Sequence, residues 1–153
     1  MPACDVVRDG LAEYFRTVQS KIHVLTEPLS TQHLWVKPYP YGNSIGNLIL
    51  HLTGNLSYYI GAQMGETGYV RNRPVEFTDS GKDKAALLAA FDGAIEAVVT
   101  TIAQQTDADW AAPYTAIRTE NKNRFAMVLN CLSHADHHVG QVIYLQRELL
   151  GKA

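Results

Sequence analysis

Hydrophobic residues recur at intervals of three and four in four stretches of the chain, the spacing that places side chains on one face of an α-helix. The first predicted helix spans about Asp5 to Thr26, and the second spans about Ser44 to Ile60. The third spans about Asp83 to Gln105, and the fourth spans about Asn123 to Leu150. No stretch alternates apolar and polar residues as a half-buried strand does. The pattern therefore predicts an all-α fold, a four-helix bundle.

The segments between these helices show no helical period. A turn-rich stretch from Thr31 to Gly42 precedes the second helix, for which Asn43 or Ser44 offers an N-cap. A long loop from Gly61 to Lys82 joins the second and third helices, and a further loop runs from Asp107 to Lys122. A connection as long as the first of these loops is often functional, and it permits crossover connections instead of a simple up-down order.

Composition narrows the classes of protein to which the chain can belong. A chain of 153 residues, 46% of them hydrophobic, fits a single domain over residues 1–153. The net charge of −2 provides no basic excess for nucleic acid. The longest apolar run, Ala85 to Phe91, is too short to cross a bilayer, and charges interrupt the N-terminal segment where a signal peptide would be apolar. Because Cys4 and Cys131 form no disulfide framework, we expect a cytoplasmic protein.

Histidines provide the chemically informative pattern. His134 and His138 stand four residues apart on the fourth predicted helix, so both imidazoles can point at one ion. A third ligand must come from another helix, and His51 lies on or beside the inward stripe of the second helix. Three imidazoles without a fourth protein ligand leave a coordination position for water or substrate. The alternative interpretation is that these are hydrogen-bonded core histidines, since that is the usual role of a lone histidine on an apolar face.

Neighbouring residues on the fourth helix leave some alternatives open. His137 lies three residues after His134 and could compete with His138 for the same ion. Cys131 lies one turn earlier and is either a fourth ligand or, more in keeping with cysteine in helices, a small buried hydrophobe. Gln141 is either a hydrogen-bond partner of His138 or a surface amide. Asp136 is expected to face solvent.

Four polar side chains of the second helix and the long loop are further candidates for contacts in the site: Asn47, Asn55, Arg71 and Arg73. One of the asparagines could hydrogen-bond a ligand histidine, with capping and packing as the competing role. The arginines could clamp a carboxylate or another anionic group, but pairing with Glu76 or Asp79 is the interpretation that we favour.

Two sequence blocks resemble the DinB/YfiT-like family of small bacterial metal-binding four-helix proteins. The first block runs from Asn43 to Asn55 and the second from His134 to Gln141; the segment from Arg71 to Phe77 also resembles a loop of one branch of that family. The resemblance implies a metal triad of one histidine on the second helix and two on the fourth. These positions are His51, His134 and His138. His138 is preferred to His137 because the second ligand on the family's fourth helix precedes a Gly-Gln pair by two residues.

The resemblance also implies functional properties that the residues alone do not show. Members of the family are usually homodimers, zinc and nickel are both associated with the fold, and some members use low-molecular-weight thiols such as bacillithiol or mycothiol. We therefore expect a single DinB-like domain over residues 1–153 that binds a divalent metal and acts on a small molecule as a thiol S-transferase. The alternatives are a metal-dependent hydrolase, a non-enzymatic module that binds a metal or a small ligand, and a helical interaction protein whose histidines fill the core.

Overall fold

Helices form the regular secondary structure of the chain in a computed structural model, which describes residues 3–116 and 123–151. Within those residues, four helices have at least twelve residues: α1 (Ala3–Thr26), α3 (Ile45–Leu56), α6 (Lys84–Gln104) and α8 (Arg124–Gly151). The shorter helices are α2 (Thr31–Trp35), α4 (Gln63–Gly65), α5 (Arg73–Thr78) and α7 (Asp107–Ala111). In the described ranges the strand-like pairing is limited to one isolated bridge between Pro113 and Asn123. The prediction of an all-α fold is confirmed.

The second predicted helix changes its geometry before its predicted end. α3 stops at Leu56, and a π-helical segment, Ser57–Ala62, continues it into α4. A π-helical turn is wider than an α-helical turn, and such segments are common near functional sites. Here the Tyr59 carbonyl accepts a hydrogen bond of 2.7 Å from the Tyr114 hydroxyl, which lies between α7 and α8. The hydrophobic period alone does not distinguish the two helix types, so the prediction ran on to Ile60.

The four long helices contact one another in a closed order, with α1 against α6 and α8, and α3 against the same two helices. Each contributes the apolar stripe that the sequence shows. Fully buried members of these stripes include Phe15 of α1, Leu52 of α3, Phe91 of α6 and Val128 of α8. This burial is the main stabilising term of the fold, since each large apolar side chain removed from water contributes roughly 1.5–3 kcal/mol.

The three predicted loops contain short helices that the period could not show. A capping box at Ser30 starts α2, Pro74 stands in the first turn of α5, and a capping box at Thr106 starts α7. Each helix is only five or six residues long. Too few turns are present to generate a stripe, so the expectation of continuous irregular loops was wrong. Residues 117–122 of the last predicted loop lie outside the described residues.

α6 is the described helix that is long and apolar enough, by length and composition alone, to cross a membrane. The longest unbroken apolar run in the sequence understates this property, because isolated polar residues interrupt an otherwise apolar helix. α6 nevertheless packs along its length against α1 and α3, and Leu87, Ile95 and Ile102 are fully buried there. This is the arrangement of a core helix and favours a soluble protein.

Candidate metal centre

Three histidines converge between α3 and α8. The Nε2 atom of His134 lies 3.2 Å from Nε2 of His51 and 3.0 Å from Nε2 of His138. One ligand nitrogen from each of the three residues lies within 4.8 Å of the others. His51 is buried, and the two histidines of α8 are half-buried. The structure thus brings together the three residues that the sequence singled out, and their role as metal ligands stays a prediction.

Hydrogen bonds on the far side of two rings determine how these nitrogens are protonated. His51 Nδ1 donates to Glu76 Oε2 at 2.8 Å, since a carboxylate oxygen can only accept. His138 Nδ1 is 2.6 Å from Gln141 Oε1, which is likewise an acceptor. A neutral imidazole carries one proton, so Nε2 of both rings presents a lone pair to the shared space. This is the tautomer that a metal ligand requires.

The shared space fits a cation better than a hydrogen bond. Lone pairs of His51 and His138 face Nε2 of His134, which has a single proton to offer to both. Two nitrogens held 2.0–2.1 Å from one ion are separated by about 3.0 Å at an octahedral angle and about 3.4 Å at a tetrahedral angle. The separations of 3.0 and 3.2 Å fall in that interval, and ligand nitrogens of His51 and His138 lie within 4.8 Å of each other. The donor set and these two separations are compatible with a divalent metal.

Glu76 joins the centre to the loop between α3 and α6. Its carboxylate accepts from His51 and also from Arg71, whose Nε lies 2.6 Å from Oε1 and whose second nitrogen lies 2.8 Å from Oε2. The side chains of Arg71 and Glu76 are only 9% and 7% exposed, so the pair is largely removed from water. A paired, buried carboxylate fixes the orientation of a ligand histidine and increases its basicity.

Residues of α3 determine where Glu76 can stand. Asn47 Nδ2 donates to the backbone carbonyls of Glu76 and Asp79 at 3.1 and 3.0 Å, and this holds α5 against α3. Gly54 faces the Glu76 carboxylate so closely that any side chain would overlap it. The glycine that weakens the helix in isolation is therefore needed for close approach. Asn47 supports the site indirectly and does not bond a ligand histidine.

Burial keeps His134 and His138 neutral. The pKa of His134 is lowered from 6.5 to about 4. Burial is the largest cause, and the nearby His138 and His51 add to it. Burial also lowers the pKa of His138, although its bond to Gln141 opposes this shift. Both effects disfavour an added proton in a space where imidazoles already crowd. At neutral pH His134 and His138 are consequently in the neutral form that metal binding requires.

Two buried polar atoms near the centre have no hydrogen-bond partner among the described residues. One is His134 Nδ1, and the other is Asn55 Oδ1, one turn after His51 on the facing helix. His134 therefore differs from the other two histidines, whose Nδ1 atoms both have an oxygen partner. With no partner at Nδ1 among the described residues, the tautomer of His134 is not fixed. Its Nε2 can carry either the proton shared with the other two rings or the lone pair that a metal would bind.

The remaining sequence candidates fall outside the histidine group. His137 is exposed, with its ring 5.4 Å from that of His138, and Cys131 is buried in the core. Asp136 pairs with a lysine of α1 on the surface, as expected. Arg73 lies over the Phe77 ring at 5.1 Å. Gln141 is the hydrogen-bond partner of His138, which settles the alternative left open above.

Glu76 is the residue of the centre that sequence reasoning missed, because it appeared only as a partner for an arginine. Nothing in its local sequence links it to His51, 25 positions earlier. The available signal was Gly54, a helix-interior glycine one turn from a candidate ligand. Such a glycine indicates that another group approaches the helix closely.

Comparisons with known proteins place this geometry in a family. The fold is similar to that in "Crystal structure of the conserved protein of locus from Enterococcus faecalis", with a TM-score of 0.79 over 99% of both chains. The two sequences are 15% identical, so this similarity concerns the fold alone. No curated protein matches the chain. The family model described as "Protein of unknown function (DUF1572)" matches residues 6–153. The chain therefore belongs to the DUF1572 family.

Proposed function

We propose that this DUF1572 chain is a DinB-like four-helix protein that binds one divalent metal ion, zinc or nickel, on His51, His134 and His138. One observation carries the proposal: three imidazole Nε2 atoms converge, and two of them are committed as lone pairs by oxygen partners at Nδ1. The closed order of α1, α6, α3 and α8 supports the four-helix arrangement. The two free cysteines, Cys4 and Cys131, suit a reducing cytoplasm.

We further propose that the protein is an enzyme that acts on a small molecule. Structural zinc sites are usually closed by four protein ligands, whereas catalytic sites keep one position for water or substrate. Among the described residues the group contains three histidines, and Cys131 is not part of it. A divalent metal held there would supply Lewis acidity and would stabilise a nucleophile at neutral pH. A thiol S-transferase is our first choice and a hydrolase our second.

The residues of the chain would perform the supporting work. Glu76 and Gln141 hold the protons at Nδ1 of His51 and His138, so that both rings keep their orientation during turnover. Arg71 holds Glu76 as a charged carboxylate through two hydrogen bonds. Phe77, whose ring lies 5.0 Å from that of His51, shields this side of the centre from water. Among the described residues we assign no further side chain as a general base.

A non-enzymatic module that binds a metal or a small ligand is the second candidate. The burial of His51 and Glu76, at 7% and 5% exposed, favours it, since an enclosed site releases its ion slowly. Low-molecular-weight thiols and a homodimeric state follow from the resemblance to the DinB/YfiT-like family and are proposed on that basis.

The decisive experiment measures metal content by mass spectrometry on untagged protein purified without chelators. We expect about one equivalent of zinc or nickel in the parent and its loss in His51→Ala, His134→Ala and His138→Ala. His137→Ala is the matched control, because it removes the adjacent histidine of the same helical turn and should retain the metal. A parent that stays metal-free after reconstitution with zinc and with nickel would refute the proposal.

A second assay separates the two candidate functions. The metal-loaded parent is incubated with a low-molecular-weight thiol and an electrophilic haloarene, and the S-aryl product is quantified against His134→Ala. Product formation that depends on His134 supports the transferase. If metal is bound stoichiometrically but neither transfer nor hydrolysis of model esters exceeds the variant, the binding module is the better description.

A further inference from the structure

A cavity of about 560 Å³ opens beside the candidate metal centre, between the loop that precedes α3 and the second half of α8. Leu48 and Leu145 form its buried floor, at 2% and 9% exposed. Tyr39, Tyr41 and Tyr144 stand around it. Pockets for small molecules typically measure about 300–1,000 Å³ and are mostly apolar with a few polar groups. The cavity has the size and character of a small-molecule site.

The cavity follows the same seam between α3 and α8 as the histidines. Leu48 lies one helical turn before His51, and Gln141 lies one turn after His138. Gln141 both lines the cavity and accepts the hydrogen bond from His138 Nδ1 at 2.6 Å. Gln141 thus links the cavity directly to one of the three candidate ligand histidines.

The lining indicates the charge and shape of the occupant. Among the described residues the lining includes no Asp, Glu, Lys or Arg, and its one histidine is His137. A charged group buried there would meet no oppositely charged side chain of those residues. The rings of Tyr39 and Tyr41 are stacked, with centroids 5.7 Å apart and an interplanar angle of 10°, and so present a flat aromatic face. Aromatic faces of this kind stack on planar ring systems.

We propose that this cavity binds an uncharged aromatic group of the small molecule on which the metal centre acts. The link to a reaction rests on the proposed function, whereas the binding itself does not. Arg71, which the sequence suggested as a possible clamp for anions, already donates two hydrogen bonds to Glu76. The described site thus offers stacking and apolar surface in place of a clamp for anions.

The test uses three probes that share a naphthalene ring and differ in charge: naphthalene-2-methanol, naphthalene-2-carboxylate and 2-naphthylmethylammonium. Their affinities for the full chain are measured by calorimetry at pH 7. We expect the neutral probe to bind at least tenfold more tightly than either charged probe. Gly140→Leu should weaken the neutral probe at least tenfold, because Gly140 lines the cavity and a Cβ there has open space ahead of it. Leucine would fill that space.

Gly93→Leu is the matched control. Gly93 also lies in a helix and also has open space for a Cβ, but it is on the exposed side of α6. Both substitutions add the same side chain and the same gain in helix propensity. Gly93→Leu should therefore leave the affinity for naphthalene-2-methanol unchanged, and circular dichroism checks that both variants fold.

Each alternative result has a defined meaning. Equal affinities for the three probes, or undiminished binding by Gly140→Leu, would overturn the proposal. A parent that is a dimer by light scattering and becomes a monomer in Gly140→Leu would also overturn it, because a second copy would then occupy the cavity. Metal content is measured in the same samples. A metal-free parent that still binds the neutral probe selectively would remove the enzyme proposal and leave the cavity assignment standing.

Discussion

Replacement of Glu76 by glutamine tests whether a charged carboxylate behind His51 supports the metal centre. The substitution keeps the shape of the side chain but removes its charge. Glu76 accepts one hydrogen bond from His51 and two from Arg71, at distances of 2.6–2.8 Å. Three donors point at the two carboxylate oxygens of Glu76. A glutamine amide replaces one of those oxygens by an NH₂ group, which cannot accept. At least one donor therefore loses its partner, and the buried cation of Arg71 loses its counter-charge.

Two effects of this variant can be given a magnitude, the loss of stability and the loss of metal affinity. Breaking a buried ion pair by removing one partner typically destabilises a protein by about 3–5 kcal/mol. The side chains here are 9% and 7% exposed, so water can replace little of the lost interaction, and we expect about 3 kcal/mol. Loss of the partner of a ligand histidine typically lowers metal affinity by about 10–100-fold. We expect Glu76→Gln to show both effects.

The assay combines urea denaturation of the metal-free protein with competitive zinc titration of the folded protein. Glu96→Gln is the matched control, since Glu96 pairs with Arg16 at 3.1 Å but is 64% exposed. An exposed pair of that kind contributes about 0–1 kcal/mol, so its loss should affect neither readout appreciably. If Glu76→Gln matches Glu96→Gln in both stability and zinc affinity, the assigned role of the carboxylate is refuted.

Three shorter predictions follow from the same contacts. Gly54→Ala should lower zinc affinity in competitive titration because its methyl group would displace the Glu76 carboxylate, whereas Gly93→Ala should raise the melting temperature slightly through helix propensity. The metal-free protein should lose stability, measured by urea denaturation, as the pH falls from 6.5 to about 4. His134 has its lowered pKa only when folded, so the unfolded chain binds the proton first, and this contribution is constant above pH 6.5 and below about pH 4. Lys84→Met should destabilise the protein by about 2 kcal/mol in the same assay, since Lys84 Nζ donates to three carbonyls at the end of α1 and just after it, at 2.7–3.0 Å.

The long helices and the histidine cluster could be predicted because both depend on short-range periodicity. A pair four residues apart on a helix shares a face wherever the helix lies in the fold, which applies to His134 and His138. The convergence of His51 with them required a second helix of the right register. Its position on the inward stripe, among buried leucines, limited that choice, and the structure places it 3.2 Å from His134.

Of the two hydrogen-bond acceptors behind the histidines, the one on the same helix could be predicted and the one from the loop could not. Gln141 was foreseen as a partner of His138 because the two residues are one turn apart on α8. Glu76 was not foreseen because it reaches His51 only after α5 has folded back onto α3. That placement depends on Asn47, whose amide holds the backbone of α5, and on the missing side chain of Gly54. Neither dependence has a period; Gly54 signals that some group approaches the helix closely but not that the group is Glu76.

The ion pair between Arg71 and Glu76 limits the kind of molecule that could bind beside the candidate metal centre. The sequence left two roles open for this residue, an anion clamp or an ion pair, and the structure uses both oxygens of Glu76 to bind its guanidinium group. A substrate carboxylate would have to compete with this buried pair, which is already satisfied, and would expose Glu76 without a counter-charge. Recognition by charge is therefore unfavourable on this side of the centre. The tyrosine-lined cavity beside His138 provides stacking surface without such competition, which supports the proposed selectivity for an uncharged aromatic group.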